Sequence, residues 1–161
     1  MNRFLLISFA LLIILISGSG CDGGLSPEDA DSNPVGVITG VVTYSGSWPP
    51  ADSLKDLRFV PLQSEPQTAQ DIFADIETLV FSERLNYFVD RDTFTVSDVQ
   101  NGVYSYNAVA QRYGDELFAD WRPVGIYEEN SGVITVSGDT VRISVHVDFD
   151  NIPPFPAEGR P

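Results

Sequence analysis

Residues 140–149, Thr-Val-Arg-Ile-Ser-Val-His-Val-Asp-Phe, alternate apolar and polar side chains without a break. Val141, Ile143, Val145, Val147 and Phe149 share one side; Arg142, Ser144, His146 and Asp148 share the other. A period of two belongs to an extended strand with one face on a core and one in water, and a slip of one residue would invert every side chain. Sheets with one wet face are characteristically antiparallel. Residues 133–136 precede this run across Ser137-Gly138-Asp139, a spacing that predicts a hairpin.

The rest of the body repeats the strand signal. Residues 35–44 are rich in β-branched side chains, with apolar groups on both faces, which predicts a covered strand. Residues 57–63 form a second candidate, limited by Pro61 to an edge or an end. Residues 85–89, 93–96, 104–111 and 124–127 follow, with Asn101-Gly102 as a turn and 114–123 as a long loop. Residues 68–80 break the rhythm. Ile72, Phe73, Ile76, Leu79 and Val80 stand at helical spacing, and Thr68 with Asp71 resembles a capping pair, so a short amphipathic helix is expected. About seven short strands between turns predict an antiparallel β-sandwich over residues 35–152. Pro153, Pro154 and Pro156 end regular structure, leaving 153–161 as a tail.

The string Ile38-Thr39-Gly40-Val41-Val42-Thr43-Tyr44, continued by Ser45-Gly46-Ser47-Trp48-Pro49, resembles the opening of carboxypeptidase regulatory-like domains. Asn101-Gly102-Val103-Tyr104-Ser105-Tyr106 with Val109-Ala110 resembles their later strand, although a Pro-Gly or Gly-Gly pair is usual where Asn-Gly stands. The resemblance implies a transthyretin-like β-sandwich acting as an accessory domain, with no catalytic residues to carry over.

The N-terminus specifies destination. Arg3 precedes an apolar run over residues 4–16, which is short of the about 20 residues that span a bilayer and within the range of a secretory h-region. Ser17-Gly18-Ser19-Gly20 then leads to Cys21, the single cysteine. That arrangement resembles a bacterial lipoprotein cleavage box, apart from Gly18 where leucine is usual. It implies a signal peptide over 1–20 and acylation of Cys21, which needs more than one chain for stable anchoring. The expected location is the cell envelope, on the outer membrane at its periplasmic side or at the cell surface. Residues 21–34 are rich in Gly, Pro, Ser and acids and read as a flexible spacer. Asp29-Ala30-Asp31-Ser32-Asn33 starts like a calcium loop, but Pro34 stands where the loop needs Gly and Gly40 where it needs Glu.

Charge and motifs narrow the function. The chain carries 23 acids against 9 Lys and Arg, and loss of residues 1–20 removes Arg3 and no acid, moving the net charge from −14 to −15. Nucleic acid is therefore not an expected partner. His146 is the one histidine, and no G-x-S-x-G elbow, P-loop or H-E-x-x-H is present, so neither a catalytic residue nor a metal or cofactor site is expected. Asp148 and Asp150, like Asp90 and Asp92 in type only, could contribute to an oxygen-ligand metal site, but read first as strand-end residues beside turns. Trp48, Trp121 and Tyr113 are the candidate ligand-binding residues, because exposed rings stack on sugars and anchor partners. The opposing expectation is that each tryptophan plugs an end of the sandwich. The leading expectation is a non-catalytic binding or structural module, lipid-anchored, with an envelope protein or glycan as partner. A carbohydrate-binding domain and a hydrolase using a carboxylate pair are the alternatives.

Overall fold

The computed structural model describes residues 35–73 and 76–155. The signal peptide, Cys21, the spacer and residues 156–161 lie outside them. Eight strands are formed: β1 (Val35–Ser45), β2 (Asp56–Leu62), β3 (Arg91–Gln100), β4 (Gly102–Tyr104), β5 (Tyr106–Arg112), β6 (Trp121–Ile126), β7 (Ile134–Val136) and β8 (Thr140–Asp148). They make two three-stranded sheets, ordered β3-β1-β8 and β2-β5-β6, and a small β4-β7 pair. The protein is mainly β, in the sandwich architecture that the strand pattern predicts.

The core lies between the two sheets. From the first come Ile38, Val42 and Tyr44 of β1, Phe94 and Val96 of β3, and Ile143, Val145 and Val147 of β8; from the second, Leu57 and Phe59 of β2, Val109 of β5 and Val124 of β6. The rings of Phe59 and Phe94 stack across the interlayer at 4.3 Å. Gly40 makes room for this pair. A Cβ there would sit 2.7 Å from the tip of Phe94 and 2.6 Å from the Ile143 carbonyl, so only glycine fits between the flanking strands. In β3, Asp98 has φ 58, which shifts the register so that both Val96 and Val99 reach the core.

Pairing departs from the sequence expectation at three places. First, β7 and β8 do not form a hairpin. β7 pairs antiparallel with β4, and β8 pairs in parallel with β1 along its whole length, from Val37↔Thr140 to Ser45↔Asp148. The first sheet is thus mixed rather than antiparallel. Gly138, at φ 91, turns the chain from one pair to the other sheet. The local turn signal carries only a spacing, whereas alignment of Ile143, Val145 and Val147 with Gly40, Val42 and Tyr44 buries a whole apolar row. Second, the outer side of β1 is not covered: Val37 and Val41 stay half-exposed beside Thr39 and Thr43. Third, residues 85–89 are irregular, although Leu85 is buried and its N–H donates to the Leu57 carbonyl.

The helical segment contracts to one 3₁₀ turn, Gln70–Phe73. Its cap forms as predicted: Thr68 Oγ1 accepts from Asp71 N–H, and Asp71 Oδ2 accepts from Thr68 and Gln67 N–H. A cap satisfies the first turn only; propagation needs a continuous buried face. Pro61 stands near the end of β2, an edge strand, as its missing N–H requires.

Candidate functional site

The outer face of the β2-β5-β6 sheet carries the principal site. Outward along β2 run Asp56, Arg58, Val60 and Leu62, opposite Arg112, Ala110, Ala108 and Tyr106 of β5. Two alanines at the centre leave a shallow floor. Residues 64–73, 76–82 and 113–120 build walls over it with Ile72, Phe73, Leu79 and Phe118, and Trp121 and Pro123 of β6 close one side. The result is an apolar groove of about 490 Å³, within the range of small-molecule pockets. Phe155 of the C-terminal segment also reaches it.

The walls are braced. Phe73 meets Phe118 edge-on at 5.1 Å and Trp121 at 6.2 Å. Trp121 Nε1–H donates to the Leu117 carbonyl at 2.8 Å. The loop after β5 is closed at its feet by Tyr113 N–H on the Asp120 carbonyl, and Asp120 Oδ2 accepts from Glu116 N–H. Arg58 lies 4.9 Å from the Phe81 ring centre, and its Nε–H donates to Asp56. Around the rim Ile76, Phe81, Leu117 and Phe118 stay about half exposed, at 58, 47, 53 and 49 %. Four large apolar side chains gathered at one opening are more than the scattered exposure of an ordinary surface.

The three aromatic candidates are not brought to one surface. Trp121 starts β6 rather than lying in a loop, and its indole lines the groove. Pairing sets Trp121 opposite Arg112 and Arg122 opposite Gln111, so neighbouring side chains leave on opposite sides of the sheet. Tyr113 follows the second side, where Arg122 stands 5.3 Å from its ring centre. Trp48 belongs to another cluster, packed on Tyr44 at 4.8 Å, Phe149 at 4.5 Å and Phe88 at 5.5 Å. It plugs the sandwich there.

A second concavity, of about 580 Å³, opens between β6 and β8 and is lined by His146, Glu128, Glu129 and Asp148 among others. His146 is exposed, as the strand period predicts, yet both ring nitrogens are engaged. Thr43 Oγ1 lies 3.0 Å from Nδ1 and Ser45 Oγ 3.0 Å from Nε2. A serine on a histidine has the outline of a nucleophile and base, but the orienting partner is a threonine hydroxyl rather than a carboxylate. Three of the aspartates, Asp92, Asp148 and Asp150, hold turns and strand ends with their side chains. Asp150 accepts from Ser47 N–H, Asp148 from Asp150 N–H, and Asp92 from Asn86 and Thr93 N–H. Among the described residues no group of three or more His, Cys, Asp or Glu could hold a metal ion.

Trp121 and the apolar residues of 68–80 are visible along the chain, but nothing in their spacing places them together. The available signal was the pair Ala108 and Ala110 between Tyr106 and Arg112, two small residues on one face of a strand. No protein-family model, curated protein or solved structure matches this chain.

Proposed function

We propose that this protein is a non-catalytic binding module, held at a membrane of the bacterial cell envelope by acyl chains on Cys21, that receives an apolar ligand in the groove over β5. One observation carries the binding half: an apolar groove of about 490 Å³ whose floor is Ala108 and Ala110 and whose rim exposes Ile76, Phe81, Leu117 and Phe118. Folding alone rewards filling such a space, since each buried CH₂ contributes about 0.8 kcal/mol. A floor of alanines beneath aromatic walls is the geometry of a seat for something else. The anchoring half rests on the sequence, the apolar leader followed by small residues and the single cysteine. Among the described residues no helix is long and apolar enough to cross a membrane, and the acyl anchor requires none. The resemblance to carboxypeptidase regulatory-like domains accords with an accessory role.

Two measurements test the two halves. Mass spectrometry of the mature N-terminus is expected to show a diacylated cysteine; an unmodified thiol removes the anchor. Organic extraction of the purified chain, compared with the Ala108→Phe variant, is expected to recover an apolar ligand from the first only. Equal recovery from both, with both folded, removes the groove as the seat.

A further inference from the structure

The apolar groove does not stop at the end of β2. Leu62, Pro66, Ile72 and Leu79 wall the groove and also wall a second hollow of about 490 Å³. The other sides of that hollow carry Gln63, Ser64, Glu65, Asp71, Thr78 and Gln100. An apolar space and a polar one therefore share a wall. Among the described residues no lysine or arginine lines the polar one.

The opposite end of the groove is closed to a polar head group. Asp56 and Arg58 are the charged residues that line it, and they satisfy each other. Arg58 Nε–H donates to Asp56 Oδ2 at 3.1 Å, and Arg58 Nη1–H donates to the Ser82 carbonyl at 3.0 Å. Asp56 Oδ1 accepts from the Leu57 N–H at 2.9 Å and from Arg84 Nε at 3.3 Å. A head group there would have to displace bonds already made, with little net gain. Between the two ends the floor follows the 7 residues of β2, about 20 Å at the rise of a strand. Half the hydrocarbon core of a bilayer is about 15 Å, so the groove has the length of one acyl chain.

The hollow also selects the charge of a head group. Glu65 and Asp71 repel an anion. Asp71 Oδ2 is already taken by the Gln67 and Thr68 N–H groups at 2.9 and 2.7 Å, which leaves little for a cation. Carboxamides and hydroxyls, which both donate and accept, make up the rest, and a ligand hydroxyl has the same two capacities.

We propose that groove and hollow form one site for an uncharged single-chain amphiphile with a polyhydroxy head, its chain along Ala108 and Ala110 and its hydroxyls at Gln63, Ser64 and Thr78. This rests on the groove reading above and adds the head group.

The test uses the full chain in phosphatidylcholine nanodiscs and four diazirine probes with the same long chain: a monoacylglycerol, an alkyl glucoside, a fatty acid and an alkyl trimethylammonium. Labelled residues are mapped by peptide mass spectrometry, and labelling is divided by the probe recovered in the discs. The better of the two polyol probes is expected to label the groove roughly tenfold more than either charged probe, the scale of one or two hydrogen bonds, and its identity tells a glycerol head from a sugar. Gln63→Lys, at an exposed position, is expected to reverse the order of polyol and acid, with thermal unfolding as the check on folding. Equal labelling of the groove by all four probes overturns the head-group assignment while the groove reading stands. A preference for either charged probe overturns it as well, and so does a polyol preference unchanged in folded Gln63→Lys. Absence of groove labelling by every probe overturns both.

Discussion

The two sheets share one core and treat their outer faces in opposite ways. Outside β3-β1-β8 the strands present Thr39, Thr43, Thr95, Ser144 and His146 to water, joined by hydroxyl contacts such as Thr39 to Thr95 at 3.3 Å and Thr43 to His146 at 3.0 Å. Outside β2-β5-β6 the strands present Val60, Leu62, Tyr106, Ala108 and Ala110, and irregular chain covers them incompletely. The first face is finished by its own strand. The second depends on residues 64–73, 76–82 and 113–120, and the space left between cover and floor is the candidate site. A strand whose outward side chains are small and apolar needs a partner from elsewhere, and incomplete cover is where a ligand gains most from burial.

Substitutions in the core and on each outer face distinguish the two sheets. The shared core should dominate: Phe59→Ala, removing the ring that bridges the sheets, is expected to cost about 3–5 kcal/mol in urea unfolding. A cost below about 1 kcal/mol would mean the layers do not meet at that ring. Next come matched charge insertions on the two outer faces. Ala108→Asp places a carboxylate on the covered floor, where the side chain is 4 % exposed, and is expected to cost about 3 kcal/mol. Thr95→Asp on the wet face is expected to cost less than about 1 kcal/mol by the same measurement. Similar losses at the two sites would erase the distinction between the faces. Gly125 tests where the sheets approach. A Cβ there would fall 2.5 Å from the His146 carbonyl, so Gly125→Ala is expected to cost about 1–3 kcal/mol by pushing β6 from β8.

The smallest effect concerns alkaline pH. Burial, with Asp92 as a lesser cause, raises the Tyr44 phenol pKa above its ordinary value of 10.0. A raised pKa means that the folded state keeps its proton where the unfolded state loses it. The stability Tyr44 contributes is therefore intact below about pH 10 and declines as pH rises beyond it. Tyr44→Phe is expected to flatten that decline in urea midpoints measured from pH 8 to 11, and an unchanged slope would assign it to other groups. Tyr87 and Tyr104 are raised in the same direction, so a residual slope is expected.

Legibility in the sequence followed the range of the physics involved. The inward row of β8, the edge position of Pro61 and the Thr68–Asp71 cap all depend on neighbours within a few residues, and all appear where the pattern puts them. The partner of β8 does not. Residues 133–136 and 140–149 have the spacing of a hairpin, yet β8 joins β1, about a hundred residues earlier, because only there does its apolar row extend the face of Val42 and Tyr44. The candidate site was legible in pieces. Trp121, the helical spacing of 68–80 and the two alanines of β5 are each visible along the chain; their meeting over one sheet face is not.

By itself the sequence determined the class of protein. Strict alternation requires strands around a core, and an excess of acids sets the surface charge. The tertiary structure alone decided that the first sheet is mixed and that Trp48 closes an end while Trp121 lines a groove. The physical reason is that periodicity records which side of a strand is buried. What buries it is chosen by long-range packing among faces the pattern leaves equivalent.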